Sequence, residues 1–335
     1  MTLKKGKWSL SDLKNVKSNG LKVLSCFSCG GGSTMGYKLS GCEVIGCVEI
    51  DPKMLQMYCE NHRPKYPYLM GVKDFFKIDN EKLPKEFFDL DILDGSPPCS
   101  SFSLSGDRDK KWGVESKFRE GQADQVLDDL FFDFINIAEK LKPKVVVAEN
   151  VKGLIQGLAK GYVKEIFAAF KRAGYETQLF LLNSSKMGVP QRRERVFFIA
   201  NKLGKKIKLN FNEKEIPLRE AILGCKQDGE KLQRQWKELW MKTKPGDSFS
   251  KVHPKGSYFN SFRLDGFRPS NTVTSSGYMC HHDTPRLLSD HEIATIQTFP
   301  EDYNYLKNKV KYVCGMSVPP FMMNRISSEI VKQFF

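Results

Sequence analysis

Short apolar runs alternate with helical patterns through roughly the first 200 residues of the chain. Apolar residues recur at steps of three and four from Val126 to Leu141, which predicts a helix. The apolar runs predict five strands, over residues 21–27, 42–50, 90–94, 145–148 and 196–200. Strands alternating with helices predict an α/β fold: a doubly wound, mostly parallel sheet with helices on both faces.

The pattern changes after residue 201. Residues 202–266 combine lysines, glycines and isolated aromatic residues without a strand–helix rhythm, so we expect a second, smaller domain there. From residue 267 onward, short motifs and a helix predicted over 290–297 indicate a return to the first domain. The expected division is therefore an N-terminal extension (1–20), a first domain (21–201), the smaller domain (202–266) and the return (267–335).

Composition narrows the class of protein. A chain of 335 residues, 40% of them hydrophobic, is long enough for one large domain and a smaller one. It contains no run of about 18 apolar residues, and its first 20 residues are polar and basic, so we expect a cytoplasmic protein without a membrane span. The net charge of +14 is spread along the chain, which favours a folded, positively lined cleft for a phosphate backbone.

The nine cysteines are expected to be reduced thiols. Cys26 and Cys29 have the Cys-x-x-Cys spacing of a zinc site. They fall at the end of a predicted strand, however, where alternation points side chains to different faces. We therefore expect no metal.

The first candidate site is the run Phe27-Ser28-Cys29-Gly30-Gly31-Gly32, which closes a predicted strand. Glycines allow a ligand to approach the backbone closely, and Glu49 at the end of the next predicted strand could hold ribose hydroxyls. This arrangement suits an adenosyl cofactor but does not separate a nicotinamide dinucleotide from S-adenosylmethionine. The chain lacks Gly-x-Gly-x-x-Gly here, which counts against a pyrophosphate.

Two further motifs follow predicted buried strands. In Asp94-Gly95-Ser96-Pro97-Pro98-Cys99, two prolines fix the backbone before a cysteine whose thiolate could attack an electron-poor carbon. In Glu149-Asn150-Val151, a carboxyl group with a raised pKa could share a proton with a ring nitrogen. The alternatives are an ordinary buried cysteine and a carboxylate that caps a helix.

A fourth motif, Gln191-Arg192-Arg193-Glu194-Arg195, leads into the last predicted strand. If the strand begins here, Arg193 and Arg195 point to one face, and paired guanidinium groups suit a base carbonyl or a phosphate. A solvated basic strand end is the alternative. Residues 100–122 are polar and follow Cys99 directly, which favours a lid over the site or, equally, a solvated loop.

These motifs, in this order, resemble those of the DNA cytosine-5 methyltransferase family over residues 21–199 and 268–326. The succession of Pro-Pro-Cys, Glu-Asn-Val and Gln-x-Arg-x-Arg is highly specific. Further matches are Arg268-Pro269 with Thr272-Val273-Thr274, the segment from Arg286 to Tyr303, and Gly315-Met316-Ser317-Val318-Pro319-Pro320. The chain departs from the usual pattern at Ser100, Met316 and Val72-Lys73, where glutamine, asparagine and a Gly-Asp pair are usual.

The resemblance implies a role for each motif. Cys99 would attack C6 of a cytosine flipped out of the duplex, Glu149 would bind N3, and Arg195 would contact O2 with support from Arg193. The first domain would bind S-adenosylmethionine and catalyse the reaction, and residues 202–266 would recognise a short target sequence. The implied cofactor-binding residues are Phe27, Cys29, Gly30, Gly31, Gly32, Glu49, Ile50, Asp74, Pro97 and Ser317.

The expected partner is double-stranded DNA, with a cognate restriction endonuclease as a further candidate, and we expect a monomer associated with the nucleoid. Three alternatives remain at this point: a tRNA cytosine-5 methyltransferase of the same superfamily, a nucleotide-dependent oxidoreductase on the same sheet, and a non-catalytic DNA-binding module. The oxidoreductase leaves Pro-Pro-Cys and the arginine pair unexplained, and the presence of every expected catalytic residue type argues against the non-catalytic module.

Overall fold

The computed structural model describes residues 7–98, 115–116, 125–126, 129–156 and 160–335. Cys99 and nearly all of the expected lid over 100–122 lie outside the described residues. The chain forms two compact units. The sheet unit comprises Val16–Leu182, Glu194–Leu209 and Ile326–Phe335, and the smaller unit comprises Met1–Asn15, Asn183–Arg193 and Asn210–Arg325.

A seven-stranded sheet forms the centre of the sheet unit. Its strands are β1 (Lys22–Cys26), β2 (Glu43–Glu49), β3 (Tyr66–Leu69), β4 (Ile92–Gly95), β7 (Val145–Val151), β8 (Glu176–Asn183) and β9 (Glu194–Asn201), in the spatial order β3-β2-β1-β4-β7-β9-β8. Neighbouring strands from β3 to β7 are parallel, and β9 runs antiparallel to β7. The predicted α/β fold with a mostly parallel sheet is confirmed.

The helices that connect these strands are α1 (Gly32–Leu39), α2 (Pro52–His62), α3 (Val72–Lys77), α4 (Leu130–Leu141) and α5 (Lys160–Arg172). A later helix, α10 (Pro320–Phe334), has residues in both units. Asp51 caps α2 by accepting the backbone N–H groups of Lys53 and Met54, and Pro52 occupies its first turn. This cap fixes the start of α2 directly after the end of β2.

The five predicted strands are all present, because the central strands are buried on both faces and read as continuous apolar runs. Val145–Ala148, for example, have no exposed surface. Within the seven-stranded sheet, the pattern missed β3 and β8, which lie at its edges. β3 contains Pro67 and alternates between half-buried and exposed residues, which is typical of an edge strand.

The predicted helix over 126–141 begins later than expected. Its described part, α4, starts at Leu130, whereas Val126 belongs to a short antiparallel ladder between β5 (Glu115–Ser116) and β6 (Gln125–Val126). The apolar periodicity therefore begins before the first residue of the helix. From Leu130 onward the prediction is correct, and Phe131 and Phe134 are fully buried in the core.

The smaller unit contains α6 (Leu218–Ala221), α7 (Arg234–Lys242), α8 (Asp290–Ile296) and α9 (Val310–Met316), with a parallel pair of short strands, β10 (Phe262–Arg263) and β11 (Met279–Cys280). The helix predicted over 290–297 is α8, which Ser289 and Glu292 stabilise with a capping box. The boundaries of a separate domain at 202–266 stay a prediction. None of the described helices is long and apolar enough to cross a membrane.

Candidate active site

Three of the sequence motifs follow or continue adjacent strands of the sheet unit. β4 lies between β1 and β7, and the register pairs Gly95 with Cys26 on one side and with Ala148 on the other. The residues after these three therefore lie at the same end of the parallel strands, where β7 continues to Val151 beside β9. This is the end where open parallel sheets place their ligands.

A hydrogen bond joins the second and third motifs. The buried side chain of Asn150 donates through Nδ2 to the carbonyl oxygen of Pro97, at 3.1 Å. Its Oδ1 accepts the backbone N–H of Val151, at 2.8 Å. The residue that follows Glu149 thus holds the Pro97-Pro98 segment, which leads directly to Cys99, against β7.

Glu149 and Arg195 form an ion pair, with 3.1 Å between Arg195 Nε and Glu149 Oε1. Their side chains are only 13% and 15% exposed. Burial lowers the pKa of Arg195, and the carboxylate of Glu149 opposes this effect. A second donor of the same guanidinium, Nη1, bonds the carbonyl oxygen of Glu194 at 2.8 Å and fixes its orientation. The pair offers a carboxyl group and guanidinium donors side by side.

The glycine-rich turn after β1 has a strained backbone. Phe27 and Cys29 adopt positive φ angles of 55° and 42°, which residues other than glycine rarely adopt. Gly31 has a φ angle of 70°. The turn begins with a hydrogen bond from Phe27 N–H to the carbonyl oxygen of Val48, at 2.9 Å. Such backbone angles persist only where the surrounding structure enforces them.

Glu49, at the end of β2, enforces this conformation. Its Oε2 accepts the N–H of Cys29 at 2.8 Å, and its Oε1 accepts the N–H of Asp51 at 2.9 Å. Burial raises the pKa of Glu49, and these backbone donors act in the opposite direction. Each carboxylate oxygen can still accept a further hydrogen bond.

The residues around this turn fit an adenosyl cofactor. The two oxygens of Glu49 suit a pair of ribose hydroxyls, and Phe27, a partly buried aromatic residue at the strand end, suits stacking on a base. Ile50, beside Glu49, is also partly buried. Asp74 is exposed in the first turn of α3 and pairs with Lys77 at 3.0 Å.

Sequence reasoning missed Asp94, the third residue of β4. Its buried carboxyl accepts hydrogen bonds from Ser25 Oγ at 3.1 Å and from the hydroxyl of Tyr37 at 3.2 Å. Burial raises its pKa to about 7, and the nearby charge of Glu149 adds to that rise. An aspartate inside an apolar strand was the signal that could have identified it.

Two predicted site residues belong to the smaller unit. The buried guanidinium of Arg193 donates to the carbonyl oxygens of Val273 at 3.0 Å and Gly315 at 2.8 Å. Ser317 is buried, and its hydroxyl donates to the carbonyl oxygen of Val313 at 2.8 Å. Arg193 thus joins three segments that the sequence motifs singled out, while Arg195 pairs with Glu149 in the sheet unit.

Gln191 connects the same segments of the smaller unit. Its side chain donates to Gln297 Oε1 at 2.6 Å and accepts the backbone N–H of Val273 at 3.0 Å. Gln297 in turn donates to the carbonyl oxygen of Ser317, at 2.8 Å. All these groups are buried, so the polar residues of these motifs form a framework within the unit.

A mostly parallel α/β sheet, with the glycine-rich turn, Glu49 and Glu149 at the carboxyl ends of its parallel strands, is typical of a methyltransferase. The chain belongs to the family of C-5 cytosine-specific DNA methylases, whose family model matches residues 21–332. The resemblance of the sequence motifs is thereby confirmed. The protein is a DNA cytosine-5 methyltransferase.

Curated relatives match along most of their length. The chain is 31% identical to the Type II methyltransferase M.FnuDI of Fusobacterium nucleatum, over 89% of this chain and 91% of that protein. It is 27% identical to the Type II methyltransferase M.NgoPII of Neisseria gonorrhoeae, over 94% of this chain and 96% of that protein.

Solved structures share the fold at low sequence identity. A prophage-encoded protein of E. coli, assigned as a DNA modification methyltransferase, is 19% identical and aligns over 94% of this chain and 99% of that one, with a TM-score of 0.73. The methyltransferase EhMeth of Entamoeba histolytica is 16% identical and aligns over 94% of this chain and 99% of that one, with a TM-score of 0.63. These likenesses support the fold alone.

Proposed function

We propose that the protein transfers a methyl group from S-adenosylmethionine to C5 of a cytosine in duplex DNA, the reaction of EC 2.1.1.37, with Cys99 as the nucleophile. The observation that carries this proposal is the ion pair of Glu149 and Arg195 beside the segment that leads to Cys99. Asn150 ties that segment to the strand that bears Glu149.

The first step forms a bond between the Cys99 thiolate and C6 of the cytosine. Glu149 enters this step as the carboxylic acid, whose O–H donates to N3 and whose other oxygen accepts from the exocyclic amine. As the thiolate adds to C6, the proton passes to N3, the electron pair of the C5–C6 double bond collects at C5, and Glu149 becomes the carboxylate that Arg195 holds. Arg195 donates to O2 and keeps the Glu149 carboxyl oriented. We propose that Arg193, two residues earlier in the chain, supports Arg195.

After methyl transfer to C5, a base removes the C5 proton, the double bond re-forms, Cys99 leaves as the thiolate, and N3 returns its proton to Glu149. When bound, the cofactor supplies an electrophilic methyl group. Phe27 and Glu49 would hold its adenosine, and the turn from Cys29 to Gly32 would lie against it. Further candidate contacts are Ile50, Asp74, Pro97 and Ser317.

A cytosine stacked in a duplex cannot reach such a site, so the base must be flipped out. We propose that residues 202–266 read a short target sequence. Tyr258 and Phe259 in this region are 39% and 50% exposed. Trp240, by contrast, is buried, and its indole N–H donates to the carbonyl oxygen of His281 at 2.8 Å. Trp240 is therefore part of the core and not of a DNA-binding surface.

The decisive experiment combines a transfer assay with an adduct trap. The full chain with labelled S-adenosylmethionine should methylate duplex DNA, and a duplex with 5-fluorocytosine at the target should form a covalent adduct, because fluorine at C5 blocks the last elimination. Cys99→Ser should abolish both signals while leaving DNA binding intact, whereas Cys59→Ser, on α2, should retain both. Full transfer by Cys99→Ser, or no adduct during turnover, would overturn the mechanism.

The same assay tests the substrate. Faster transfer to tRNA than to duplex DNA would replace the DNA assignment with the RNA alternative. Bisulfite sequencing of DNA from cells that express the chain would identify the target sequence.

We also propose that the protein is monomeric, cytoplasmic and associated with the nucleoid, and that a cognate restriction endonuclease is its partner. The Type II names of the relatives support the endonuclease.

A further inference from the structure

His62, the last residue of α2, lies directly against the glycine-rich turn. It is buried, with 5% of its surface exposed. A Cβ atom added to Gly31 would lie 2.1 Å from His62 Nε2 and 2.5 Å from Cδ2. The ring also interacts with the backbone of Gly30. Gly31 therefore has no room for a side chain because the imidazole ring fills that space.

Neighbouring residues hold the ring in place. The ring of Tyr58, one turn earlier on α2, meets it edge-on with 4.7 Å between centroids. The hydroxyl of Tyr58 bonds Thr34 Oγ1 at 2.7 Å, in the first turn of α1. Lys38, further along α1, donates through Nζ to the carbonyl oxygen of His62 at 2.9 Å. These contacts tie the end of α2 to the helix that begins at the glycine turn.

The glycine turn is thus held by two groups. The carboxylate of Glu49 bonds the N–H of Cys29, and the ring of His62 packs against Gly31. Asp51 links the two supports, because its backbone N–H bonds Glu49 and its side chain caps α2, the helix that bears His62. A change at His62 is therefore transmitted to the backbone around Cys29 and Gly31.

The imidazole of His62 acts through its shape and not through proton transfer. Burial lowers its pKa to about 3, and the nearby charge of Lys38 adds to this. At neutral pH the ring carries no charge, so it presents a flat surface of fixed position to the turn.

We propose that His62 is a positioning residue, which holds the turn from Cys29 to Gly32 in the shape that binds S-adenosylmethionine. This inference rests on the proposed function, since it takes that turn to be the cofactor site. It predicts that His62 affects the affinity for the cofactor, while the affinity for DNA does not depend on it.

A pair of substitutions tests this inference. His62→Ala should weaken the binding of S-adenosylhomocysteine, measured by calorimetry with the full chain, by about 10-fold or more. Gly31→Ala should weaken it further, because the new Cβ meets the ring and the positive φ strains alanine. The double variant should bind more tightly than Gly31→Ala alone, because removal of the ring makes room for the methyl group.

Controls separate positioning from misfolding. His291→Ala, which alters a histidine of the smaller unit, should leave the affinity for S-adenosylhomocysteine unchanged. Affinity for duplex DNA should be the same for His62→Ala and the wild-type chain. Unchanged cofactor affinity in His62→Ala, or a double variant that binds no better than Gly31→Ala, would overturn the inference alone. A wild-type chain that binds no S-adenosylhomocysteine would overturn the cofactor assignment as well.

Discussion

Glu149 and Arg195 meet diagonally across the antiparallel strands β7 and β9. The register pairs Arg195 with Val151 and Glu149 with Phe197, so the two charged residues lie on the same face, with one residue pair between them. Both side chains are largely removed from water, and the carboxylate of Glu149 opposes the lowering of the Arg195 pKa by burial. The loss of either one leaves the other charge buried without its partner.

Arg195→Ala should therefore reduce methyl transfer by about 100-fold or more, because it removes the donor to the base and leaves the Glu149 carboxyl without orientation. Single-turnover transfer from labelled S-adenosylmethionine to duplex DNA measures the effect.

The matched control for Arg195→Ala is Lys152→Ala, which breaks an ion pair to Glu194 on the same strand. That pair has 2.8 Å between its charged atoms but is 34% and 42% exposed, so its removal should change transfer and stability little. Equal rates for Arg195→Ala and the wild-type chain would contradict the role given to the buried pair.

Asp94 should make the stability of the sheet unit depend on pH. Its pKa in the folded chain is about 7, above the ordinary value of 3.8, so the folded state holds this proton more tightly than the unfolded state. The contribution of Asp94 to the free energy of unfolding is most favourable at low pH and is lost as the pH rises from about 4 to 7. Between pH 5 and pH 8 this loss should amount to about 2–3 kcal/mol.

Asp94→Asn should remove that loss, so that urea unfolding at the two pH values differs less for the variant than for the wild-type chain. Asp89→Asn provides the control, because Asp89 is exposed and its hydrogen bond to Lys22 lowers its pKa. If the stability of Asp94→Asn depends on pH as strongly as that of the wild-type chain, the carboxyl of Asp94 does not titrate between pH 5 and pH 8.

Gly95 leaves space for a ring of the core. A Cβ atom at Gly95 would lie 2.5 Å from Cε2 of the fully buried Phe134. Gly95→Ala should destabilise the chain by about 1–3 kcal/mol through overpacking and should displace the segment before Cys99, lowering methyl transfer as well. Thermal unfolding measures the change in stability. In the control variant Gly161→Ala, on α5, the added Cβ atom meets no atom within 4 Å, so this substitution should be neutral or stabilising.

Arg193→Ala should destabilise the smaller unit by about 3 kcal/mol, because two buried carbonyl oxygens lose a charged donor. The adjacent Arg192 is exposed, and Arg192→Ala should have little effect on the unfolding temperature. If the two variants unfold alike, the bonds from Arg193 to Val273 and Gly315 contribute nothing to the unit.

Much of the sheet could be predicted because burial on both faces leaves a local signal. The five strands at or near the centre of the sheet read as apolar runs, and the motifs at their ends identified Glu49, Glu149 and Arg195. The edge strands β3 and β8 left a weaker signal, since β3 alternates between partly buried and exposed residues and most residues of β8 are only partly buried. The start of α4 was misjudged because apolar periodicity does not distinguish a helix from the short ladder before it.

By itself, the sequence determined the class of fold, the order of the motifs and the chemistry available at the strand ends, since these depend on residue types and on short-range periodicity. Only the tertiary structure decided that Asn150 holds Pro97, that Glu149 pairs with Arg195, that Asp94 keeps its proton near neutral pH and that His62 fills the space beside Gly31. Each of these depends on desolvation or on contact between segments far apart in the chain. Both are properties of the packed molecule, which no local pattern contains.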